Sequence, residues 1–324
     1  MSVPRRRLLQ LAAAGAAVSA LPRSASALDY PTRPIRWVVG FPPGGGADIV
    51  ARIMARWLSE RLGQEMIIEN RPGAATNIAA QNVISSPADG YSLLWIGTSN
   101  AINASLYQNL PFNFVRDVAP VAGMVVYPLV LEVHPSVAAN LSQFIALAKA
   151  SPGRINYGSY GTGTTSHVAG ELFKTMAGIN MVHVPYRGGA AMVSDLLGGQ
   201  VQAGFDVAAS SLPHIRSGAL RALAVTTATR LEALPDVPTI GETVQGYEAI
   251  AWTGVGVPRD TPRAIIERLN QEINAGLTDP GIKAQLAGLT TTPLIFTPAE
   301  LGTYMAAETE KWAKVVKLAG AKPE

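Results

Sequence analysis

Two glycine-rich turns, Pro42-Pro43-Gly44-Gly45-Gly46-Ala47-Asp48 and Gly161-Thr162-Gly163-Thr164-Thr165-Ser166, each join a short β-like run to an amphipathic helix. That unit restricts the chain to an α/β class with mainly parallel sheets. Before the first turn, Ile35-Arg36-Trp37-Val38-Val39 reads as a strand. After it, Ile49, Val50, Ile53, Met54, Trp57, Leu58 and Leu62 recur at helical spacing until Gly63 stops them. Similar units follow: strands near 66–69 and 91–96, a helix near 77–84, and a loop at Gly97-Thr98-Ser99-Asn100.

A run at 127–133 reads as one buried strand, after which the units begin afresh. Asn140 caps a helix through 150, and strands near 155–157, 181–184, 201–205 and 220–225 alternate with helices near 167–176 and 190–197. A second crossing strand at 251–257 precedes two helices, the last started by the capping-box pair Thr297 and Glu300. This order predicts a discontinuous two-lobe protein. Lobe one comprises 28–126 and 252–324, lobe two 127–251, and a cleft lies between them.

Residues 1–27 precede both lobes. Arg5, Arg6 and Arg7, an apolar run and the triplet Ala25-Ser26-Ala27 read as a secretory signal peptide. The run Arg5-Arg6-Arg7-Leu8-Leu9 fits a twin-arginine signal as well as an ordinary secretory head. The whole chain has 26 basic and 23 acidic residues; without the signal's four arginines the balance is about −1. Nucleic acid therefore loses its usual electrostatic attraction. The absence of cysteine excludes disulfides, thiolate metal sites and a cysteine nucleophile.

The candidate site lies where strands end and helices begin. Free N–H groups and the macrodipole at a helix N-terminus favour an anion, and ligands of open α/β sheets bind beyond the strands' carboxyl ends. The residues expected there are Phe41, Pro43, Gly44, Gly45, Gly46 and Asp48 in the first turn. Tyr160, Gly161, Thr162, Gly163, Thr164, Thr165 and Ser166 form the second, with Thr98, Ser99 and Asn100 beside them. A third turn adds Tyr186 as an aromatic wall, and Arg187 as either a carboxylate clamp or an ion-pair partner. Asp206 either accepts from a ligand or holds the loop that follows. Neither glycine turn is a Walker A motif or a full G-x-G-x-x-G. His134, His167, His183 and His214 lack metal-ligand spacing, and Ser166 beside His167 lacks the elbow of a hydrolase. No metal, cofactor or catalytic constellation is expected.

Several segments carry a resemblance: Tyr30-Pro31-Thr32-Arg33-Pro34-Ile35, Phe41–Gly45 with Asp48, Glu69-Asn70-Arg71-Pro72-Gly73-Ala74, and Pro87-Ala88-Asp89-Gly90-Tyr91. Further along are Gly161–Thr164 with His167, His183-Val184-Pro185-Tyr186-Arg187-Gly188, Leu234-Pro235-Asp236-Val237-Pro238-Thr239, and Trp252 with Gly254. Together they resemble the extracytoplasmic solute receptors of tripartite tricarboxylate transporters, the Bug-type proteins. The resemblance implies a type II periplasmic-binding-protein-like fold, without enzyme activity, that closes on a small organic carboxylate. It also implies a periplasmic location and delivery to a membrane permease, or alternatively sensing for a membrane signalling partner. A monomer is expected, and the ligand's identity does not carry over.

Overall fold

The structure is a computed structural model that describes residues 30–323; the expected signal peptide lies outside the described residues. The first unit runs β1 (Ile35–Val39), α1 (Gly46–Leu62), β2 (Met66–Asn70), α2 (Asn77–Ile84), β3 (Ser92–Gly97), α3 (Thr98–Leu106), α4 (Phe114–Asp117) and β4 (Val118–Tyr127). The second runs β5 (Leu129–Val133), α5 (Leu141–Ala150), β6 (Ile155–Ser159), α6 (Thr165–Ala177), β7 (Met181–Pro185), α7 (Gly189–Leu197), β8 (Ala203–Val207), α8 (Ala208–Arg216) and β9 (Arg221–Val225). The chain then returns through β10 (Ala251–Pro258), α9 (Arg263–Thr278), α10 (Pro280–Gly288), β11 (Thr292–Pro293) and α11 (Pro298–Ala319).

Two sheets result, ordered β11-β4-β10-β3-β1-β2 and β7-β6-β8-β5-β9. The first takes strands from both ends of the chain and the second only from 129–225. Both are mixed rather than mainly parallel. β2, β1 and β3 are parallel, as are β7, β6 and β8, whereas β10 and β5 pair antiparallel with both neighbours. The reason is chain direction: the crossing strands carry the chain between sheets and arrive from the opposite end.

The expected single strand at 127–133 is two. Pro128 has no N–H for a ladder, and the chain changes sheet at that residue, its carbonyl accepting instead from Ala208 N at 3.0 Å. Thr98, Ser99 and Asn100, expected as a loop, form the first turn of α3, where Asn100 Oδ1 accepts from Gly97 N at 3.0 Å.

Helices form where their apolar stripe has a sheet to cover. α1 buries Val50, Met54, Leu58 and Leu62, and ends at Gly63 in the left-handed conformation at φ 67°. Asn140 caps α5 through its side chain, and Thr297 and Glu300 cap α11 reciprocally. α11 joins the two units by packing on α3, β4 and α6. Glu308, which interrupts its apolar stripe, is buried because Trp312 Nε1 donates to it at 2.9 Å. Among the described residues no helix is long and apolar enough to cross a membrane.

Candidate functional site

Five strand-to-helix turns converge on one cavity of about 820 Å³ between the sheets. β1 and β3 end there from one side, and β6, β7 and β8 from the other. Their parallel pairing brings the N-termini of α1, α3, α6, α7 and α8 to the same space. No side chain caps α1, α7 or α8, which leaves first-turn N–H groups for a ligand. Among the described residues no Asp or Glu lines the cavity, so its field favours anions.

Asp48 shapes the first turn from behind. It is buried and accepts from Gly44 N at 2.8 Å, Arg52 Nε at 2.9 Å and Asn70 Nδ2 at 3.0 Å. Burial raises its pKa, but those hydrogen bonds outweigh burial and hold it below the usual carboxylate range. Asn70 also donates to Phe41 O at 3.0 Å. Asp48 therefore fixes the backbone while Phe41, Pro43, Gly44, Gly45 and Gly46 line the cavity.

The second turn is organised from within. Thr164 Oγ1 donates to Gly161 O at 2.7 Å and accepts from His167 N, so it is a helix cap. Thr162 Oγ1 is buried without a partner among the described residues. Ser166 Oγ donates to Phe205 O at 2.6 Å, and His167 Nδ1 accepts from Gly163 N at 3.2 Å, so no serine–histidine pair forms. His167 packs on His183 with ring centroids 4.2 Å apart. Burial, followed by the charge of Lys174, lowers His167 to about 4. Burial and then His167 lower His183 to about 3. Thr165 and Ser99 are the hydroxyls of these turns that line the cavity with no side-chain hydrogen bond among the described residues. Thr98 is engaged with Trp252, accepting from its N at 2.8 Å.

Asp206 lies beneath the floor. Its carboxylate accepts from Tyr160 Oη, from Val207 N at 2.8 Å and from Ser211 Oγ at 3.1 Å. Tyr160 reaches the cavity and Asp206 does not. Burial raises Asp206 to about 6, against those hydrogen bonds. Glu132, on the neighbouring strand β5, is fully buried, and among the described residues neither carboxyl oxygen has a partner at hydrogen-bond geometry. Burial first, then the charge of Asp206, push Glu132 well above the usual carboxylate range.

The cavity wall thus holds Phe41, Pro43, Gly44, Gly45, Gly46, Thr98, Ser99, Asn100, Tyr160, Thr164, Thr165 and Ser166. Asp48, Gly161, Thr162, Gly163, Tyr186 and Asp206 stand behind it, and Tyr186 Oη donates to Asp195 at 2.8 Å. Sequence reasoning missed Trp95, Trp252, Val193, Leu197 and the α8 residues Ser210 and His214, all on the wall. The strand ending at Asp206 was the available signal for α8, since a helix must follow it. Among the described residues no group of three or more His, Asp or Glu could hold a metal.

The two sides touch around the cavity. A Cβ on Gly188 would lie 3.5 Å from Pro42, and one on Gly163 would collide with Asn103 Oδ1 and lie 3.0 Å from Ala75 Cβ. Ala74, Ala75 and Thr76 all have positive φ. Asn103 holds this segment by donating to Ala75 O at 2.7 Å, and Asn100 by donating to Thr76 Oγ1 at 3.1 Å.

A match to the tripartite tricarboxylate transporter family receptor covers residues 50–321. Protein BugT of Bordetella pertussis is 38% identical over 322 residues, 98% of each chain. The R. palustris protein Rpa4515, solved with adipate, superposes with a TM-score of 0.87 at 37% identity, over 91% of this chain and all of that one. MatC of Rhodopseudomonas palustris, solved with bound malate, superposes at 0.82 with 27% identity, over 89% of this chain and all of its own.

Proposed function

The chain belongs to the tripartite tricarboxylate transporter receptor family, and on that premise we propose that it is an exported periplasmic receptor that encloses a small organic carboxylate between its two lobes and presents it to a membrane permease. The observation that carries this reading is a cavity without acids at which five helix N-termini converge. Each such terminus stabilises a nearby anion by roughly 0.3–1 kcal/mol, more when water is excluded. A carboxylate there is neutralised by N–H groups and hydroxyls that no internal bond occupies. The adipate and malate held by the two structural relatives support the same chemistry. Family membership also supports the permease and the periplasm, and the receptor acts as a single chain.

Capture follows from lobe closure. The ligand bridges turns on both sides, binds the closed form more tightly and shifts the population toward it. The test is thermal unfolding against aliphatic and aromatic carboxylates, where a ligand at a hundredfold excess over Kd adds about 2.7 kcal/mol. A flat response from protein that has been unfolded and refolded to remove resident ligand would refute the reading.

In the predicted turns, Ser99 and Thr165 have hydroxyls that face the cavity with no side-chain hydrogen bond among the described residues, and they can meet that carboxylate. A hydrogen bond to a charged group contributes about 1.5–3 kcal/mol. Thr165→Val should therefore weaken carboxylate binding about tenfold or more, and Ser99→Ala should do likewise, with small changes in melting temperature. Thr164→Val should act in the opposite sense, lowering stability by about 1 kcal/mol through loss of the α6 cap. Calorimetric Kd values beside melting curves separate the two outcomes.

A further inference from the structure

We propose that Glu132 and Asp206 form a buried proton site beneath the cavity, and that the receptor takes up a proton there as it captures an anion. This rests on the carboxylate reading above and adds to it a second ligand, the proton, with a seat of its own.

The sheet places the two acids together. In the β5–β8 ladder Val130 opposes Asp206 and Glu132 opposes Gly204. Glu132 and Asp206 are therefore diagonal neighbours on one face, within reach of a long side chain. Both side chains are wholly buried. Ser211 of α8 joins them: its Oγ donates to Asp206 Oδ2 at 3.1 Å and lies beside Glu132 as well. The cover over this face is apolar, since a Cβ on Gly204 would lie 3.2–3.3 Å from Met192 and Leu196 of α7.

Among the described residues no cation faces the pair. Arg221 of β9 donates to Pro135 O and Ala138 O, His214 of α8 stands on the cavity wall, and Asp195 of α7 accepts from Tyr186. Two carboxyls so placed are costly to ionise together. Asp206 accepts from Tyr160, Val207 N and Ser211, whereas neither oxygen of Glu132 has a donor among the described residues. The resident proton therefore belongs to Glu132 and the exchangeable one to Asp206.

Tyr160 connects the pair to the ligand. It lines the cavity, and its Oη accepts from Val207 N at 2.9 Å. A Cβ on Gly189, where α7 begins at the cavity, would lie 3.2 Å from that oxygen. The hydroxyl has a single proton, which it donates to Asp206. While Asp206 is ionised, Tyr160 offers the cavity only lone pairs, and the charge behind it opposes an anion. A proton from solvent added to Asp206 reverses both effects. The acid then donates to Tyr160 Oη, and the Tyr160 O–H turns toward the anion. Anion and proton strengthen each other's binding by the same factor.

The test is calorimetry of adipate binding at about pH 6.5 in buffers of different ionisation enthalpy, which counts the protons taken up. Native protein should take up roughly half a proton or more per adipate. Its affinity should rise several-fold per pH unit from about pH 8 to about pH 6, with about tenfold the ceiling for one proton. Asp206→Asn should abolish this uptake and flatten the pH profile, and Tyr160→Phe, which keeps both acids, should remove the larger part. Protons carried by adipate or by His214 remain in the variants and cancel in the difference. An infrared carboxylic-acid band in unliganded protein, lost in Glu132→Gln, should report the resident proton without any ligand. Equal uptake in native protein and Asp206→Asn, or absence of that band, would overturn the site. An affinity that follows sodium at constant ionic strength instead of pH would give the seat to a metal cation and overturn it too. If refolded protein binds neither adipate nor benzoate at any pH, the carboxylate reading fails and the coupling with it, while the infrared band still decides the proton site.

Discussion

Gly163→Ala should cost the protein most of its ligand affinity while both lobes remain folded. Gly163 has φ +87°, and a Cβ there would meet Asn103 Oδ1 and Ala75 Cβ, both carried by the first unit of the chain across the cavity. Asn103 cannot swing aside cheaply, because its amide nitrogen is committed to Ala75 O and to Asn77 Oδ1 at 2.7 and 3.1 Å. Two effects add. Left-handed strain of about 1–3 kcal/mol acts in the open and closed forms alike. Overpacking at the seam, also about 1–3 kcal/mol, acts only where the two units meet, which under the closure proposed above is the ligand-holding form. The first lowers the melting temperature. The second lowers the closed fraction, and with it the apparent affinity, by roughly 5- to 150-fold. Gly161→Ala is the control: its φ is +117°, but its Cβ would lie 3.3 Å from Tyr186 O, in its own lobe. The two variants should therefore lose similar stability and very different affinity. Equal Kd values for the pair would show that this seam does not govern capture.

The glycine turns were legible because they interrupt strong patterns. A β-branched or aromatic run, then glycines, then a 3.6-residue apolar period leaves little choice but strand, turn and helix. The caps Asn140 and Thr297–Glu300 were legible for a similar reason, since short side-chain oxygens sit at fixed offsets from the first apolar turn. β4 was not. Ala119-Pro120-Val121-Ala122-Gly123 lacks alternation, and it forms a strand only because β10 and β11 flank it. α8 was hidden by Ser210, Ser211 and an internal Pro213, which lower its helical signal.

Within the site, residue type was legible and its employment was not. Thr162, Thr164 and Thr165 look equivalent along the chain. Gly161 O and His167 N engage Thr164, a buried position leaves Thr162 without a partner, and Thr165 alone reaches the cavity free. Asp48 and Asp206 stand where a ligand-binding acid would stand, yet each is spent on the backbone and side chains beside it. For Arg187 both the clamp and the solvated or ion-paired side chain were open from the sequence, and the fold places it on the cavity wall. Some of these partners are local and some distant, as Asn70 is to Asp48 and Tyr160 to Asp206, but which of several neighbouring oxygens faces the cavity is set by the packed fold, which local periodicity does not encode.

Glu132→Gln should make the protein markedly more sensitive to acid, although it removes an unsatisfied buried carboxyl. Two groups of buried residues titrate with opposite sign. His167 and His183 have folded pKa values of about 4 and 3, depressed from 6.5. Below 6.5 the unfolded chain binds protons that the folded one refuses, so their contribution is present above that pH and lost as pH falls toward 4. Glu132 and Asp206 are raised, Asp206 to about 6. From about pH 4 to 6 the folded chain holds protons that the unfolded one has released, so these acids remove stability as pH rises. In the native protein the two contributions oppose each other across pH 4.5–6, and stability should vary little there. Glu132→Gln deletes one of the opposing protons, so stability should rise with pH across that window by up to about 1.4 kcal/mol per unit. Chemical unfolding of both proteins at half-unit pH steps measures this difference directly. Parallel profiles would mean that Glu132 titrates normally. Below about pH 4 both proteins should also lose ligand, because protonated His167 can no longer accept from Gly163 N, a contact that fixes the shape of the second turn.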